Sequence, residues 1–402
     1  MRTPAGASAP SLLRRLAARA TLTPVRVVAL SFAAAIAVGT AALLTPAARR
    51  PDATASVVDA LFTATSAMCL TGLVVVDTPT HWSGFGQGVI LALIQAGGFG
   101  IMTMASLVGL LLANRIGLKA RLNTAAEARA SGLGDVRSVV VGVVRMSVLI
   151  EAVTAVAVIL GGIGFPVLFE VTRHLRGRST RWSLHTRLTV TVTAVLLVVG
   201  PALVLILEWT RTLQHYHFGQ KLLVATFQGV MPRTAGFNSV DYAQVDDATL
   251  LVTDVLMFIG GGSGGTAGGI KVTTFVLLLF VIAAEARGER SVTVFDRRID
   301  TRVQRQALSV ALIGVGLVAV PTIVLLAGTG FDLDVLLFEV TSAFATVGLS
   351  TGITAQLPAW GQLVLVLLMY LGRIGSITLV SALAARERGR RYELPTERPF
   401  IG

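Results

Sequence analysis

Three short segments of the chain carry a small or hydroxyl residue shortly before a glycine, each between two apolar stretches. They read Thr71-Gly-Leu73, Arg233-Thr-Ala-Gly-Phe-Asn238 and Ala345-Thr-Val-Gly-Leu-Ser350. Glycine lets the backbone turn so that its carbonyl oxygens can face a dehydrated cation. Repetition of such a segment in a membrane protein is typical of a pathway built by internal pseudo-symmetry. The pattern therefore predicts an ion pathway lined by main-chain carbonyls.

The stretches ahead of these three tips are also related to one another. They are Leu61–Ala67, Leu223–Gln228 and Leu337–Ala343, and each is short and amphiphilic. A tip of this kind between two apolar helices is a helix–pore loop–helix unit. Three such units are predicted, at residues 27–113, 188–285 and 307–385.

Composition indicates a membrane protein. The chain of 402 residues is 53% hydrophobic and 14% charged, with a mean hydropathy of +0.75, well outside ordinary globular usage. Its net charge of +12 does not indicate nucleic-acid binding, because the basic residues cluster beside apolar spans, as the positive-inside rule expects. The single cysteine, Cys69, excludes an intramolecular disulfide and a cysteine metal cluster.

The basic clusters predict the topology. The clusters that we expect on the cytoplasmic side are Arg14–Arg26, Arg115–Arg137, Arg173–Arg187, Arg287–Arg305 and Arg386–Arg391. Residues 1–26 and 386–402 are then a cytoplasmic N-terminus and a cytoplasmic tail. The first cluster and the apolar run behind it also fit a cleaved signal peptide. The run leads directly into the first repeat, which favours an uncleaved helix.

The interval 138–172 does not fit the repeat. It lies between two cytoplasmic clusters but contains no glycine tip, and two full crossings need about 40 apolar residues plus a turn. We expect a shortened repeat here, made of two short helices or a re-entrant hairpin with its bend near Ala155–Gly164. One long tilted helix is the alternative, although it violates the charge rule.

Four motifs occur together and in order. They are Thr65-Ser-Ala-Met-Cys-Leu-Thr-Gly-Leu73, Arg233–Asn238, the run Gly260–Lys271 and Gly372-Arg-Ile-Gly375. On these motifs, and over nearly its whole length, the chain resembles the TrkH/KtrB branch of the Trk/Ktr/HKT superfamily of potassium uptake proteins. The resemblance implies an all-α polytopic protein of the cell membrane. Its pseudo-fourfold helix–pore loop–helix repeats would surround a central pore, three of them complete and one shortened.

The resemblance also implies a filter and partners. The residues whose carbonyls are expected to bind the ion are Thr71, Gly72, Thr234, Ala235, Gly236, Thr346, Val347 and Gly348. Potassium is the only metal expected at these sites, and sodium is a second candidate for the transported ion. No cofactor is expected. The implied partners are the lipid bilayer, a second copy of the chain and a separate cytosolic nucleotide-binding regulatory subunit.

A gate is expected beneath this filter. Its residues are Gly260, Gly261, Gly262, Ser263, Gly264, Gly265, Thr266, Ala267, Gly268, Gly269, Lys271 and Arg373. The glycines cannot form an ordinary helix, since each costs about 1 kcal/mol relative to alanine. The resemblance makes this run (260–270) an intramembrane loop and points Arg373 into the pore as a barrier charge. The alternatives are a kink for helix packing and an arginine that snorkels to the interface.

The chain departs from the family at three points. The second filter segment has no counterpart, and serine replaces the usual proline at Ser263 and Ser376. Asp77 and Asp241, each five residues after a tip, are either cation-enriching residues of the outer mouth or solvated surface groups.

Three functions are consistent with these features. The first is channel-like potassium uptake, and the second is a degenerate or truncated relative that inserts without conducting. The third is a secondary transporter of another solute, which should show charged substrate groups at the midplane. Because midplane polarity here is mostly glycine and backbone, the ion pathway is favoured. No nucleophile, paired catalytic carboxylates or nucleotide motif indicates an enzyme.

Overall fold

A computed structural model describes residues 24–51, 56–112, 153–175, 182–233, 235–289, 291–295 and 297–384. Helices account for 71% of the structure, which confirms the predicted helical class. Several predicted features lie outside the described residues. They are most of the N-terminus 1–26, the tail 386–402, the filter residue Thr234 and the early part of the shortened repeat.

The described residues contain thirteen helices. They are α1 (Pro24–Leu43), α2 (Val57–Met68), α3 (Thr78–His81), α4 (Gly84–Leu112), α5 (Val153–Ile163), α6 (Phe165–Leu175), α7 (Leu184–Leu207), α8 (Phe218–Val230), α9 (Asp247–Phe258), α10 (Val272–Ala286), α11 (Thr301–Gly328), α12 (Leu333–Ala345) and α13 (Ala359–Ala384). Short 3₁₀ turns lie at Pro46–Ala48, Met231–Arg233 and Thr354–Gln356.

Three of these helices directly precede the predicted tips, and all three are short. Helices α2, α8 and α12 have 12, 13 and 13 residues, so each is about 20 Å long at 1.5 Å per residue and does not cross 30 Å of hydrocarbon. The first begins at a capping box between Ser56 and Asp59. Its cap satisfies N–H groups that would otherwise lack partners.

Long apolar helices frame the short ones. Within the described residues, α7 and α11 are each long and apolar enough to cross a membrane. Helices α5 and α6 would add a third span if they form one broken segment, since they meet at an angle of 99°. That bend falls at Gly164, inside the interval predicted for it. The number of crossings in this repeat stays a prediction.

One element departs from the all-α expectation. Strands β1 (Thr293–Val294) and β2 (Arg297–Arg298) form a small antiparallel hairpin, so the prediction is wrong for this basic segment. Val292 and Val294 are buried against side chains of α7, α10 and α11. Packing of these alternate valines gives the segment a period of two, which favours extended backbone over helix.

The largest apolar core lies between the first and the last repeat. Side chains of α1, α2, α12 and α13 share it, with Phe62, Trp82 and Leu336 fully buried. The short helices α2 and α12 are therefore fixed by packing on longer neighbours.

A buried carboxylate joins two ends of the third repeat. Glu208 caps the C-terminus of α7; one oxygen accepts hydrogen bonds from Asp246 N (2.9 Å) and Thr249 Oγ1 (2.6 Å). Its other oxygen accepts a bond from Thr212 Oγ1 at 2.7 Å. Burial raises the pKa of this carboxyl, but the hydrogen bonds outweigh burial and leave the pKa below its ordinary value.

We expect Glu208→Gln to destabilise the protein by about 1–3 kcal/mol near neutral pH, since hydrogen bonds to a charged group are lost. Because the folded pKa is lowered, this contribution is complete above the ordinary glutamate pKa. It disappears as the pH falls through the folded value. Thermal unfolding of both proteins in detergent across this pH range measures the difference. A gap in Tm that does not shrink on acidification would contradict the assignment.

Candidate ion pathway

The first and fourth tips are held by the same pair of hydrogen bonds. Ser66 accepts a bond from Thr71 N at its carbonyl (2.9 Å) and one from Gly72 N at its hydroxyl (3.1 Å). In the fourth repeat Ser342 makes the equivalent bonds, to Val347 N (3.0 Å) and Gly348 N (3.0 Å). The serine at the end of each short helix therefore sets the course of the tip that follows.

Left-handed backbone occurs at matching positions of these two tips. Gly72 and Gly348 have φ of 96° and 93°, and Leu70 and Thr346 have φ of 55° and 51°. Residues other than glycine seldom adopt this conformation. The shared turn shows that the sequence repeat is also a repeat of local structure.

The third tip is built differently. Gly236 is not in the left-handed region, and Ala235 N donates to Met231 O at 3.1 Å. Arg233, predicted only as part of the motif, is buried and makes long hydrogen bonds of 3.4–3.5 Å to Thr193. Six residues before the tip glycine, where the other two tips have serine, this repeat has Val230, and the 3₁₀ turn Met231–Arg233 follows it.

The three tips meet at Gly348. A Cβ atom added there would lie 2.1 Å from the carbonyl oxygen of Thr71 and 3.1 Å from Gly72 Cα. A Cβ atom added at Gly236 would lie 2.5 Å from the carbonyl carbon of Gly348. The fourth tip therefore touches both others through main-chain atoms, and no side chain fits between them. Main-chain atoms of three distant segments, including the carbonyl groups of Thr71 and Gly348, converge at this point.

The glycine run between α9 and α10 is irregular backbone. Ile270 N donates to Phe258 O and Val272 N donates to Gly261 O, both at 3.1 Å, so the two helix ends are held side by side. Gly268 faces the fourth tip, since a Cβ there would be 2.3 Å from the carbonyl oxygen of Ala345. The run thus packs directly against the residue that precedes the predicted filter.

The bend of the shortened repeat docks on this run. Gly262 N donates to Gly162 O (2.7 Å), and Thr266 N donates to Gly161 O (3.2 Å). Phe165 N, at the start of α6, donates to Gly264 O at 3.4 Å. Each broken segment therefore supplies hydrogen-bond partners for the other, so that fewer backbone groups are left unpaired.

Two cations contact the glycine run. Arg373 on α13 is 3% exposed, and its Nη1 donates to Thr266 O. Lys271 Nζ donates to Ala267 O at 2.5 Å. The structure thus brings Arg373 and Lys271 to the run, whereas their part in gating stays a prediction. The bend at Gly161–Gly164 is the contact that sequence reasoning missed, although its glycines were a visible signal.

The shortened repeat lies beside the third tip. Ala155, Val158 and Ile159 of α5 pack against the end of α8 and its 3₁₀ turn. A small cavity of about 10 Å³ remains between these elements, lined in part by Arg233 and Thr193. Helix α5 therefore covers the side of the third repeat that faces the shortened one.

The outer aspartates make local hydrogen bonds. Asp77 accepts bonds from Thr80 N and Oγ1 and caps α3. Asp241 accepts bonds from Ala243 N and from the Gln244 amide. Among the described residues, no group of three or more His, Cys, Asp or Glu side chains is placed to hold a metal ion.

Comparison with known proteins gives a consistent set of relatives. Residues 143–390 match the family model TrkH, described as a cation transport protein. The Ktr system potassium uptake protein B of Bacillus subtilis is 35% identical, covering 94% of this chain and 97% of that protein. The potassium/sodium uptake protein NtpJ of Enterococcus hirae is 31% identical, covering 96% and 98%.

Structural similarity and alignment length add two facts. The crystal structure of the potassium transporter TrkH from Vibrio parahaemolyticus has a TM-score of 0.68 at 17% identity, over 91% of this chain and 86% of that one. This similarity shows that the two proteins share a fold. The alignment to the B. subtilis protein spans 437 positions, more than the 402 residues here. The relative therefore contains residues with no counterpart in this chain.

Gly348→Ala should disrupt the junction of the tips, because the new Cβ would clash with the Thr71 carbonyl oxygen. The alanine would also have to adopt a positive φ, which is strained for a residue with a side chain. We expect cation flux in proteoliposomes to fall at least about tenfold, the effect of roughly 1.4 kcal/mol of strain. Gly330→Ala is the matched control, since Gly330 is exposed and has no atom within 4 Å of an added Cβ. Equal flux in both variants would contradict the role given to Gly348.

Proposed function

Because the chain belongs to the TrkH family of cation transport proteins, we propose that it is the translocation subunit of a potassium uptake system. The observation that carries this proposal is the convergence of three glycine tips at Gly348. A potassium ion that leaves water needs several oxygen ligands, and main-chain carbonyls supply them without a charged side chain. The membrane potential drives such uptake.

We propose that the tips form the filter and that the repeats surround it. The repeats are residues 27–113, 138–172, 188–285 and 307–385. The contact of the fourth tip with both the first and the third supports this order, since neighbours in a ring touch. The shortened second repeat would leave one side of the filter without carbonyls and place α5 there instead. Conduction should then be weaker or less selective than with four walls.

We propose that the glycine run is the gate. The run lies between the bend of the shortened repeat and the fourth tip, and it is tied to α13 by Arg373. A cation so close to the pathway repels the transported ion while its hydrogen bond keeps the run in place. The relatives named as potassium uptake proteins support the ion assigned here.

We also propose the partners implied by the family. The chain would insert into the cell membrane as a multi-pass homodimer and bind a separate cytosolic nucleotide-binding regulatory subunit. The basic segments 115–137 and 287–305 would be the docking surface for this subunit. We expect a dimer that co-purifies with such a protein in mild detergent. A monodisperse monomer without a partner would contradict this proposal.

A non-conducting relative is the second candidate. Two observations favour it. The sequence lacks a second glycine tip, and the alignment to the B. subtilis protein is longer than this chain. Such a protein would fold and insert but would not complete the ring of ligands.

Potassium uptake decides between these two functions. We expect cells that lack their own potassium uptake systems to grow at low potassium when they express this chain with its regulatory subunit, because the filter passes the ion. Uptake of rubidium, a potassium analogue, measures the rate directly. Correct insertion and normal expression without any uptake would support the second candidate instead.

Arg373→Ala should raise the potassium flux or lower its selectivity, since the barrier charge and its bond to Thr266 are both removed. Deletion of part of 260–270 should raise the flux as well. Arg211→Ala is the matched control, because Arg211 is an exposed arginine that pairs with Asp246, outside the glycine run and outside the proposed docking surface. Flux is compared at equal expression. Unchanged rates in both gate variants would contradict the assignment of the glycine run as the gate.

A further inference from the structure

A fully buried carboxylate lies behind the fourth tip. Glu339 is on α12, in the helix that leads to the tip, and it is 0% exposed. One carboxylate oxygen accepts a hydrogen bond from Ser350 Oγ, and the other accepts one from Thr354 Oγ1 at 3.0 Å. A buried charge is tolerated only with such partners. The side chain is therefore held in a defined position.

Both hydroxyl groups belong to the segment that leaves the tip. Ser350 lies two residues after Gly348, so the two are at most about 7 Å apart along the chain. Ser350 Oγ also lies 3.0 Å from Thr354 Oγ1 and accepts a bond from Gly352 N at 2.8 Å. Glu339 thus ties the helix before the tip to the backbone after it.

This connection is specific to one repeat. Counted from the tip glycine, the position of Glu339 corresponds to Thr63 in the first repeat and to Phe227 in the third. The shared serine bonds of the first and fourth tips are sufficient to form the turn without a carboxylate. Glu339 is consequently not a requirement of the repeat fold and needs a separate explanation.

We propose that Glu339 is a positioning residue that sets ion selectivity, acting on the fourth tip through Ser350 and Thr354. The inference rests on the proposed potassium pathway. Discrimination between potassium and sodium depends on the spacing and the number of the carbonyl ligands. Both oxygens of the Glu339 carboxyl group are bonded to hydroxyls of the segment after the tip, whereas an amide has a single oxygen acceptor. The carboxyl group therefore restrains the tip through two contacts that an amide would not reproduce.

A purely structural role for Glu339 predicts a different result. Loss of stability reduces the number of folded transporters, which lowers the maximal rate but leaves the KM of each ion unchanged. Movement of the tip alters the ligands themselves, which changes the KM for potassium relative to that for sodium. The ratio of these two KM values separates the two roles.

The experiment measures uptake of both ions by the full chain with its regulatory subunit. Three variants are compared with the wild type: Glu339→Gln, Ser350→Ala and the control Glu208→Gln, a second buried carboxylate bonded to hydroxyls but not to a tip. We expect Glu339→Gln and Ser350→Ala each to reduce the preference for potassium at least about threefold, a change of roughly 0.6 kcal/mol. Glu208→Gln should leave the preference unchanged. The double variant Glu339→Gln with Ser350→Ala should add little, since both act on one contact.

Each result has one meaning. If Glu339→Gln does not fold, Ser350→Ala carries the test from the other side of the hydrogen bond. Wild-type preference in the folded variants would overturn the inference while the potassium pathway stands. Absence of potassium uptake by the wild type would overturn the proposed function and this inference with it.

Discussion

Close approach of main chains is the constraint on which the other features of this protein depend. The tips touch at Gly348, the glycine run touches the tip at Gly268, and α13 passes the fourth tip at Gly372, where an added Cβ would lie within 2 Å of the Phe344 carbonyl. Each contact leaves no space for a side chain. The carbonyl oxygens of Thr71, Ala345 and Phe344 lie at these contacts. Such groups are polar but uncharged.

Irregular backbone creates a second constraint, since buried N–H and C=O groups without partners are costly. The protein meets it by pairing two broken segments. The run between α9 and α10 donates to the carbonyls of Gly161 and Gly162, and it accepts a bond from Phe165 N. The bend in the shortened repeat and the irregular run are therefore one structural unit. Movement of either requires new partners for the other.

Three buried or partly buried ionisable side chains form hydrogen bonds with neutral groups. Arg373 and Lys271 donate to carbonyls of the glycine run, and Glu339 accepts bonds from hydroxyls behind the tip. Ion pairing would neutralise the charges, whereas hydrogen bonds to neutral partners preserve the local potential. Arg373 and Lys271 contact the glycine run that packs on the fourth tip, and Glu339 lies in the helix that leads to this tip. This distribution is suited to control of a passing cation.

The sequence by itself determined the features that depend on neighbouring residues. Apolar runs and charge clusters indicated a helical membrane protein, and repetition indicated where the tips lie. The same repeat would have revealed Ser66 and Ser342, which occupy one position of the related stretches. Charge and length also predicted a bend in the shortened repeat, which lies at Gly164. The hairpin at 293–298 was missed, because its extended form depends on burial of Val292 and Val294 against three helices.

Only the tertiary structure decided which distant backbones meet. Gly161 and Thr266 are bonded, as are Arg373 and Thr266, although each pair is separated by more than a hundred residues. Periodicity and motif spacing report the conformation of a segment, but they carry no information on the packing partner of that segment. The family resemblance placed Arg373 in the pore, and its contact with Thr266 is visible only in the structure. The hydrogen bonds of Glu339 to Ser350 and Thr354 are likewise visible only there. The physical reason is that close contacts between glycines depend on the path of the whole chain. Glycine has no side chain, so its place in the sequence does not indicate which segment packs against it.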